Sequence, residues 1–295
     1  MSVARSILSL IVLLAAMSLS LLGLGSHWVD RVARTPGPLA DIVGPLEPDG
    51  QIARAIKAEL RSAVLAQLPD LSAAPELGAQ VDGLITRALD DALTSDEAQR
   101  AWRSSLDLTR AGLVGSLDAV RRDGADAPTV WFELSPFIAL AQQRAEAAAT
   151  EPVRAQLALV GVPDTVAVPL GRPDAGEAQV AADALGLAGN WRIYYAGALV
   201  LAVLGLVIGS RRGRWWAWLM ATAAGPAALF LAARALEFVR VPVADSIASS
   251  LQARIITGST ASISAWISTA YYVGFAAFAL GVIGLIVASA RRDRS

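Results

Sequence analysis

The chain of 295 residues contains no cysteine, one histidine and one lysine. Without cysteine, no disulfide can brace the fold, and thiolate catalysis and cysteine metal ligation are excluded. The single histidine, His27, cannot supply the paired ligands of common zinc sites, and any Ser–His nucleophile pair would depend on it. The sequence has no phosphate-binding loop with its lysine and no dinucleotide fingerprint. We therefore predict a non-enzymatic protein with no catalytic residues, no cofactor and no metal site.

Carboxylates are plentiful, and their local pairs are the remaining candidates for site chemistry. Paired acids can exchange protons with a substrate or bind calcium. Two of the pairs fall at helix ends or on polar helix faces, where acids are expected, and the third lacks the alternating ligand positions of a calcium loop. We interpret all three pairs as structural. They are Asp90 with Asp91, Asp96 with Glu97, and Asp123 with Asp126.

Four hydrophobic segments dominate what the sequence does contain. They cover residues 6–25, 193–209, 215–236 and 268–289. At 1.5 Å rise per residue, each is long enough to cross a hydrocarbon core of about 30 Å with modest tilt. The first also ends in a small-x-small sequence typical of a cleaved signal peptide, but signal-peptide apolar cores are shorter, so we favour an uncleaved anchor. The pattern predicts a mainly α membrane protein with four transmembrane helices.

Arginine clusters give the predicted orientation. Arg5 precedes the first span, three arginines lie in the turn at 211–214, and three more follow the fourth span at 291–294. Short cytoplasmic loops collect Lys and Arg, so all three sites are expected inside. Tryptophan and tyrosine clusters at the ends of the spans are typical of the membrane interfaces. We predict a multi-pass plasma-membrane protein with both termini cytoplasmic.

The spans divide the chain into three predicted parts. Residues 1–25 form the first span, 26–190 an extracytoplasmic helical domain, and 191–295 a three-helix transmembrane bundle with an outer loop at 237–267. The outer domain carries 23 Asp and Glu against 14 Lys and Arg, a net charge of −9. An acidic surface argues against nucleic acid as a ligand, because that polymer needs a basic surface.

Helical periodicity organises the first part of the outer domain. The third helix has the strongest signals, since a capping box at 94–97 opens it and Gly124 can end it. Trp102 lies on its apolar stripe and is expected in the core. The predicted helices run from an N-cap at Asp49 to before Pro69, from about Pro75, from the capping box to Gly124, over 136–149, 152–161 and 175–189, and as a short outer helix within 241–264.

Two short segments have the period of β-strands. Residues 129–134 alternate, with Val130, Phe132 and Leu134 on one side, and residues 165–170 form a second apolar run. Pro169 places the second strand at an edge, because proline cannot donate a ladder hydrogen bond. The helical stretch between the strands is long enough for a parallel crossover. We expect a small two-stranded sheet, with its pairing direction left open.

Two groups of residues in the spans are candidates for specific roles. Gly205 and Gly209 form a small-xxx-small pattern that allows another helix to approach closely, so we predict helix packing there. Arg234, Glu237 and Arg240 are spaced by three near the outer end of the third span. We interpret them as an interfacial ion pair that anchors the span at the headgroups, rather than as a transport site.

The layout and two short motifs resemble a group of proteins. The motifs are D-I-V-G-P-L at 41–46 and F-E-L-S-P at 132–136. The chain resembles uncharacterised actinobacterial four-span integral membrane proteins with a helical extracytoplasmic domain between spans one and two. Their usual equivalent of the first motif has an aromatic residue and more acids, which this chain lacks. The resemblance implies a location in the cell envelope and brings no catalytic residues.

These observations lead to two hypotheses about function. The first is a non-enzymatic envelope scaffold, assembly or sensing component that acts on an envelope or membrane protein partner through its extracytoplasmic domain. The alternative is a transport-associated or mechanotransmitting permease-like subunit that works with a separate ATPase, because such subunits share the order of one span, a large outer domain and three spans. That order is a likeness of topology alone, and fold does not give function.

Overall fold

The computed structural model describes residues 2–66, 75–148, 166–238 and 247–290. The predicted fold class is confirmed: the protein is mainly α-helical, and the described residues contain one small sheet. The helix predicted over 152–161 lies outside the described residues. The helices are α1 (Ser2–Arg34), α2 (Pro38–Val43), α3 (Gln51–Leu65), α4 (Pro75–Leu93), α5 (Asp96–Asp123), α6 (Ser135–Ala148), α7 (Ala175–Ala188), α8 (Trp191–Ile208), α9 (Gly213–Leu236) and α10 (Ile247–Ala290), and the strands are β1 (Val130–Glu133) and β2 (Ala167–Gly171).

The chain divides into two compact units. The membrane unit comprises Met1–Val32, Asp183–Arg240 and Ser259–Ser295, and the sheet unit comprises Ala33–Ala182 and Val241–Gly258. The sequence assigns 237–267 to an outer loop of the transmembrane bundle, whereas Val241–Gly258 groups with the sheet unit.

The membrane unit contains the apolar helices. Among the described residues, four helices are long and apolar enough to cross a membrane, as the hydrophobic segments predict. Pro226 lies inside α9 without ending it. The four helical stretches are Val3–Arg34, Trp191–Ile208, Gly213–Leu236 and Ala248–Ser289.

Helix α10 differs from its prediction. The sequence suggests a short outer helix followed by a separate span at 268–289, but one helix runs from Ile247 to Ala290. No proline interrupts this stretch, and a glycine inside a helix costs only about 1 kcal/mol, so Gly258 does not stop it. Near its start, Leu251 is 2 % exposed and lies in the core of the sheet unit. Arg254 donates a hydrogen bond to the Pro45 carbonyl at 2.9 Å.

The core of the sheet unit is built from the predicted apolar stripes. Trp102 of α5 is 1 % exposed, and its ring centroid lies 5.7 Å from that of Phe132 in β1. Both Phe132 and Leu134 are fully buried, as the alternation of this strand predicts. The α3 stripe of Ile56 and Leu60 joins the same cluster. Burial of these side chains away from water is the main favourable contribution to the fold of this unit.

The two strands pair antiparallel. Phe132 lies opposite Val168, and the register shifts between Val130 and Trp131. The connection between the strands is long enough to return in either direction, so its length permits a parallel crossover without requiring one. On the α5 side of β1, the Glu133 N–H donates to the Thr109 hydroxyl at 3.0 Å.

The helix caps of the sheet unit depart from their predictions in detail. The N-cap of α3 is Gly50 rather than Asp49. Helix α5 begins and ends where predicted, with Ser95 as N-cap and Gly124 in the left-handed conformation at its C-terminus. However, the Ser95 hydroxyl donates to the Ala92 carbonyl at 2.6 Å and caps no backbone N–H of the first turn, so the N-cap hydrogen bond is absent. The Ala92 carbonyl, three residues earlier, accepts the hydroxyl hydrogen bond in place of the cap.

Candidate functional site

The predicted packing glycines of α8 lie against neighbouring segments of the membrane unit. The Ser9 hydroxyl of α1 donates to the Gly205 carbonyl at 2.7 Å, and a Cβ at Gly205 would lie 2.7 Å from Leu13 Cγ. Gly209 ends α8, where a Cβ would lie 2.9 Å from the Ser9 hydroxyl and 2.5 Å from Arg214 Cβ. Both glycines therefore permit close approach within the chain.

The predicted ion pair of α9 is present in its first two members. Arg234 donates to both carboxylate oxygens of Glu237, at 2.9 and 3.0 Å, and its guanidinium lies 5.3 Å from the Phe230 ring centroid. Both charged side chains are well exposed. Exposed pairs of this kind contribute little to stability. Arg240 lies outside the described residues, and the interfacial position of the pair stays a prediction.

His27 belongs to an aromatic cluster in the membrane unit. The imidazole stacks on the Trp191 ring with centroids 4.2 Å apart, and it meets the Trp266 ring edge-on at 5.0 Å. These three residues, which we call the aromatic cluster, bring together α1, α8 and α10. Stacked and edge-on rings contribute beyond their buried area. The geometry supports a packing role for His27.

Two guanidinium groups lie over the outer members of the aromatic cluster. Arg192 is 5.0 Å from the Trp191 ring centroid, and Arg31 is 5.9 Å from that of Trp266. These distances allow cation–π attraction. Asp30 also lies beside the cluster, and its carboxylate accepts a hydrogen bond from the Trp191 indole N–H at 3.2 Å. The cluster is therefore surrounded by two cations and one anion.

A cavity of about 580 Å³ lies among the four spans of the membrane unit. Its volume is within the range of small-molecule sites. The wall contains Trp266 of the aromatic cluster but no Asp, Glu, Lys, Arg or His. Small side chains create much of the space. The lining residues are Leu13, Ala16, Met17, Ser20, Leu21, Leu24, Tyr195, Ala198, Leu199, Ala202, Trp218, Ala221, Thr222, Gly225, Pro226, Leu229, Trp266, Thr269, Ala270, Val273, Gly274 and Ala277.

Three hydroxyl groups in the cavity wall are bonded to carbonyls of their own helices. Ser20 donates to the Ala16 carbonyl at 3.0 Å, Thr222 to the Trp218 carbonyl at 2.8 Å, and Thr269 to the carbonyl four residues earlier at 3.2 Å. The Trp218 indole N–H likewise donates across the bundle to a backbone carbonyl of α10 at 2.7 Å. These four donors of the wall are therefore already used, and most of the remaining lining side chains are apolar.

The sequence did not predict this cavity. Its alanines and glycines are spread over four helices, and only the rotation of those helices toward one another brings them to a common space. The available signal was the concentration of small residues on single faces, such as Ala270, Gly274 and Ala277 on α10. That spacing also suits simple helix packing, so it does not distinguish a cavity from a contact.

The acidic pairs lie on the sheet unit, and one member of each of two pairs meets arginine or lysine. Asp90 pairs with Lys57, and Glu97 pairs with Arg100 and Arg144 at 2.9 Å each. The pKa of Glu97 lies below its ordinary value, because its own backbone N–H and the charges of Arg144 and Arg100 favour the carboxylate. Within the described ranges, no group of three or more acidic, histidine or cysteine side chains could hold a metal ion.

The motif at 41–46 is held by side chains from elsewhere in the sheet unit. The Trp102 indole N–H donates to the Gly44 carbonyl at 2.9 Å. Gln99 accepts from the Leu46 N–H at 3.1 Å and donates to its carbonyl at 2.7 Å. Gly44 has a φ of 79°, which favours glycine, and Val43 and Leu46 are buried. This motif therefore serves to seat the segment on α5.

One face of the sheet presents an aromatic side chain to solvent. Trp131 is 48 % exposed, while its neighbours Phe132 and Leu134 are buried on the opposite face. Its cross-strand partner is Pro169, which is also exposed. We call Trp131 and Pro169 the Trp–Pro face.

No family model, curated protein or solved structure matches this chain. The helices themselves assign the chain to the membrane proteins, since four of those described are long and apolar enough to cross a membrane. The two candidate sites are the cavity of the membrane unit and the Trp–Pro face of the sheet unit.

Proposed function

We propose that this protein is a non-enzymatic component of the cell envelope, a scaffold, assembly or sensing subunit whose sheet unit binds a partner protein. The four apolar helices hold it in the plasma membrane, with both termini cytoplasmic and the sheet unit outside. The arginine distribution supports this orientation. The resemblance to actinobacterial four-span proteins with an extracytoplasmic helical domain supports the envelope location.

The exposed Trp131 is the observation that carries the proposal. The strand alternation leaves the indole outside the core, where about half of a large apolar surface faces water. Tryptophan is enriched among the residues that dominate binding energy at protein interfaces. Opposite it, Pro169 adds a second rigid apolar surface, so a partner side chain can pack on both at little entropic cost.

The partner-binding function is tested by cross-linking in native membranes. A photoreactive amino acid at position 131 should capture one envelope or membrane protein, identified by mass spectrometry. The matched control is position 108, because Leu108 of α5 has almost the same exposure, 47 %, in the same unit. Equal capture of the same proteins from both positions would contradict a specific Trp–Pro face. Trp131→Ala should release the partner in co-purification, whereas Leu108→Ala should not.

The orientation is tested by reporter fusions. A fusion after Arg214 should be active only as a cytoplasmic reporter, and a fusion near Gly124 only as an exported one. An exported signal from the first fusion would refute the proposed topology.

The permease-like alternative predicts a different result from the same protein. Replacing Arg234 and Glu237 together by apolar residues should leave partner capture intact, because their proposed role is to anchor α9. Loss of a transport phenotype with normal membrane insertion would instead favour the permease-like subunit. The uncharged wall of the described cavity argues against ion-coupled transport by this protein alone, because that needs ionisable groups along its path.

A further inference from the structure

We propose that the cavity of the membrane unit binds one acyl chain of a membrane phospholipid, whose phosphate lies near Arg31 and Arg192. The inference is independent of the partner proposed for the sheet unit. It assigns the membrane unit a specific lipid site in addition to its role in crossing the bilayer.

The dimensions of the cavity fit one leaflet. Its lining on α1 extends from Leu13 to Leu24, a length of about 16 Å at 1.5 Å per residue. The lining on α10 runs from Trp266 to Ala277, which is the same length. Half of a hydrocarbon core of about 30 Å is about 15 Å, the depth that a single acyl chain fills.

The wall chemistry also selects hydrocarbon. The hydroxyls of Ser20, Thr222 and Thr269 are bonded to their own helices, so none requires a polar ligand. An apolar wall gives water few hydrogen-bond partners, and its side chains gain van der Waals contacts when an apolar group enters. Inside a bilayer, the apolar groups that surround the helices are acyl chains. A lipid chain is therefore the occupant that its environment supplies.

One end of the cavity offers a site for an anionic headgroup. Trp266 lies in both the wall and the aromatic cluster, and Arg31 lies over its ring. Arg192 lies over Trp191, whose ring meets that of Tyr195 in the wall at 6.1 Å between centroids. Among the described residues, neither arginine forms an ion pair. Asp30 is nearby, but the Trp191 indole donates to it.

Phosphate is the headgroup chemistry that this arrangement recognises. A guanidinium that lies over a ring keeps N–H donors for an anion, and arginine binds phosphate oxygens through two parallel hydrogen bonds. The phosphate is common to all phospholipids, so the site requires a phospholipid rather than one particular headgroup.

The test is native mass spectrometry of the full-length protein, purified in mild detergent from membranes. The wild-type protein should retain a phospholipid, identified by its mass after release. Ala270→Phe fills the cavity from α10 and should lower retention by about tenfold or more. The matched control is Ala276→Phe, because Ala276 lies on the same helix, is exposed and is not part of the wall. It should retain the lipid.

A second variant pair tests the headgroup end. Arg31→Gln combined with Arg192→Gln should weaken phospholipid retention, whereas Arg211→Gln, in the turn after the opposite end of α8, should not. Helical circular dichroism and a single gel-filtration peak establish folding for every variant. If Ala270→Phe fails to fold, Ala202→Phe fills the cavity from α8 instead. The proposal is overturned if the wild-type protein retains no phospholipid. It is also overturned if the cavity-filling variant retains as much lipid as Ala276→Phe, or if the double arginine variant retains as much as the wild type.

Discussion

Gln99 makes both backbone hydrogen bonds of Leu46, donating to its carbonyl at 2.7 Å and accepting from its N–H at 3.1 Å. One side-chain amide therefore does for this buried residue what a neighbouring strand would do in a sheet. Leu46 is 2 % exposed, so these backbone groups would be costly to leave unpaired.

The first prediction concerns this amide. Gln99→Leu should destabilise the sheet unit by about 1–3 kcal/mol, because it leaves a buried donor and a buried acceptor unpaired. Hydrogen exchange of the peptide that contains 41–46 measures the loss in the full-length protein. Gln143→Leu is the control, since Gln143 is exposed on α6. Equal protection in both variants would show that the motif is held by its apolar contacts alone.

The second prediction concerns the start of α10. Leu251→Ala should cost about 2–5 kcal/mol, because the side chain is 2 % exposed in the core of the sheet unit. Hydrogen exchange should show the loss in α3 and α5. Leu280→Ala, at a position that is 61 % exposed on the same helix, should leave that protection unchanged. A wild-type exchange pattern for Leu251→Ala would mean that α10 does not contribute to this core.

The third prediction is a pH dependence at Glu97. Its pKa in the folded protein lies below the ordinary 4.5, so its carboxylate stabilises the fold above that pH. This contribution should be lost as the pH falls through the lowered pKa. Denaturant unfolding should therefore separate Glu97→Gln from the wild type at pH 7, and the difference should shrink in acid.

Arg144→Gln tests whether the arginine charge lowers the pKa of Glu97. It removes one of the two charges that favour the carboxylate, so the Glu97 titration followed by NMR should move upward toward the ordinary value. An unchanged titration would show that the Arg144 charge is not among the causes of the lowered pKa.

The fourth prediction concerns the packing of α8 on α1. Gly205→Ala should destabilise the membrane unit by about 1–3 kcal/mol, because the new methyl group meets Leu13 and the structure must shift. Thermal unfolding in detergent measures this. Gly25→Ala is the control, since a Cβ there meets nothing within 4 Å. A melting temperature that falls equally in both variants would point to glycine loss in general rather than to the helix contact.

The sequence predicted those parts of the fold that depend on local pattern. The alternation around Phe132 and Leu134 and the stop at Gly124 follow from spacing and from the conformational freedom of glycine, and both are present. The break before 268 was wrong, because it was inferred from the polarity of 241–264. Serines and one arginine interrupt a hydrophobic stretch without interrupting a helix.

The remaining features depend on contacts that no local pattern encodes. The hydrogen bond between Gln99 and Leu46 joins residues that are far apart in sequence. Nothing in the local sequence distinguishes Gln99 from an exposed glutamine. The cavity depends on how four helices rotate, which is set by close contacts such as that of Gly205 with Leu13. The amino-acid composition of the two strands also does not determine that they pair antiparallel.

The bond from the Glu133 N–H to the Thr109 hydroxyl bears on how the protein behaves at high concentration. Unpaired strand edges are templates on which another copy can add a strand and begin to polymerise. Here α5 occupies one such position on β1, and Pro169 has no N–H to offer from β2. The sheet can thus expose an indole on its face while each strand withholds one backbone donor from a second copy, which disfavours strand addition to this sheet.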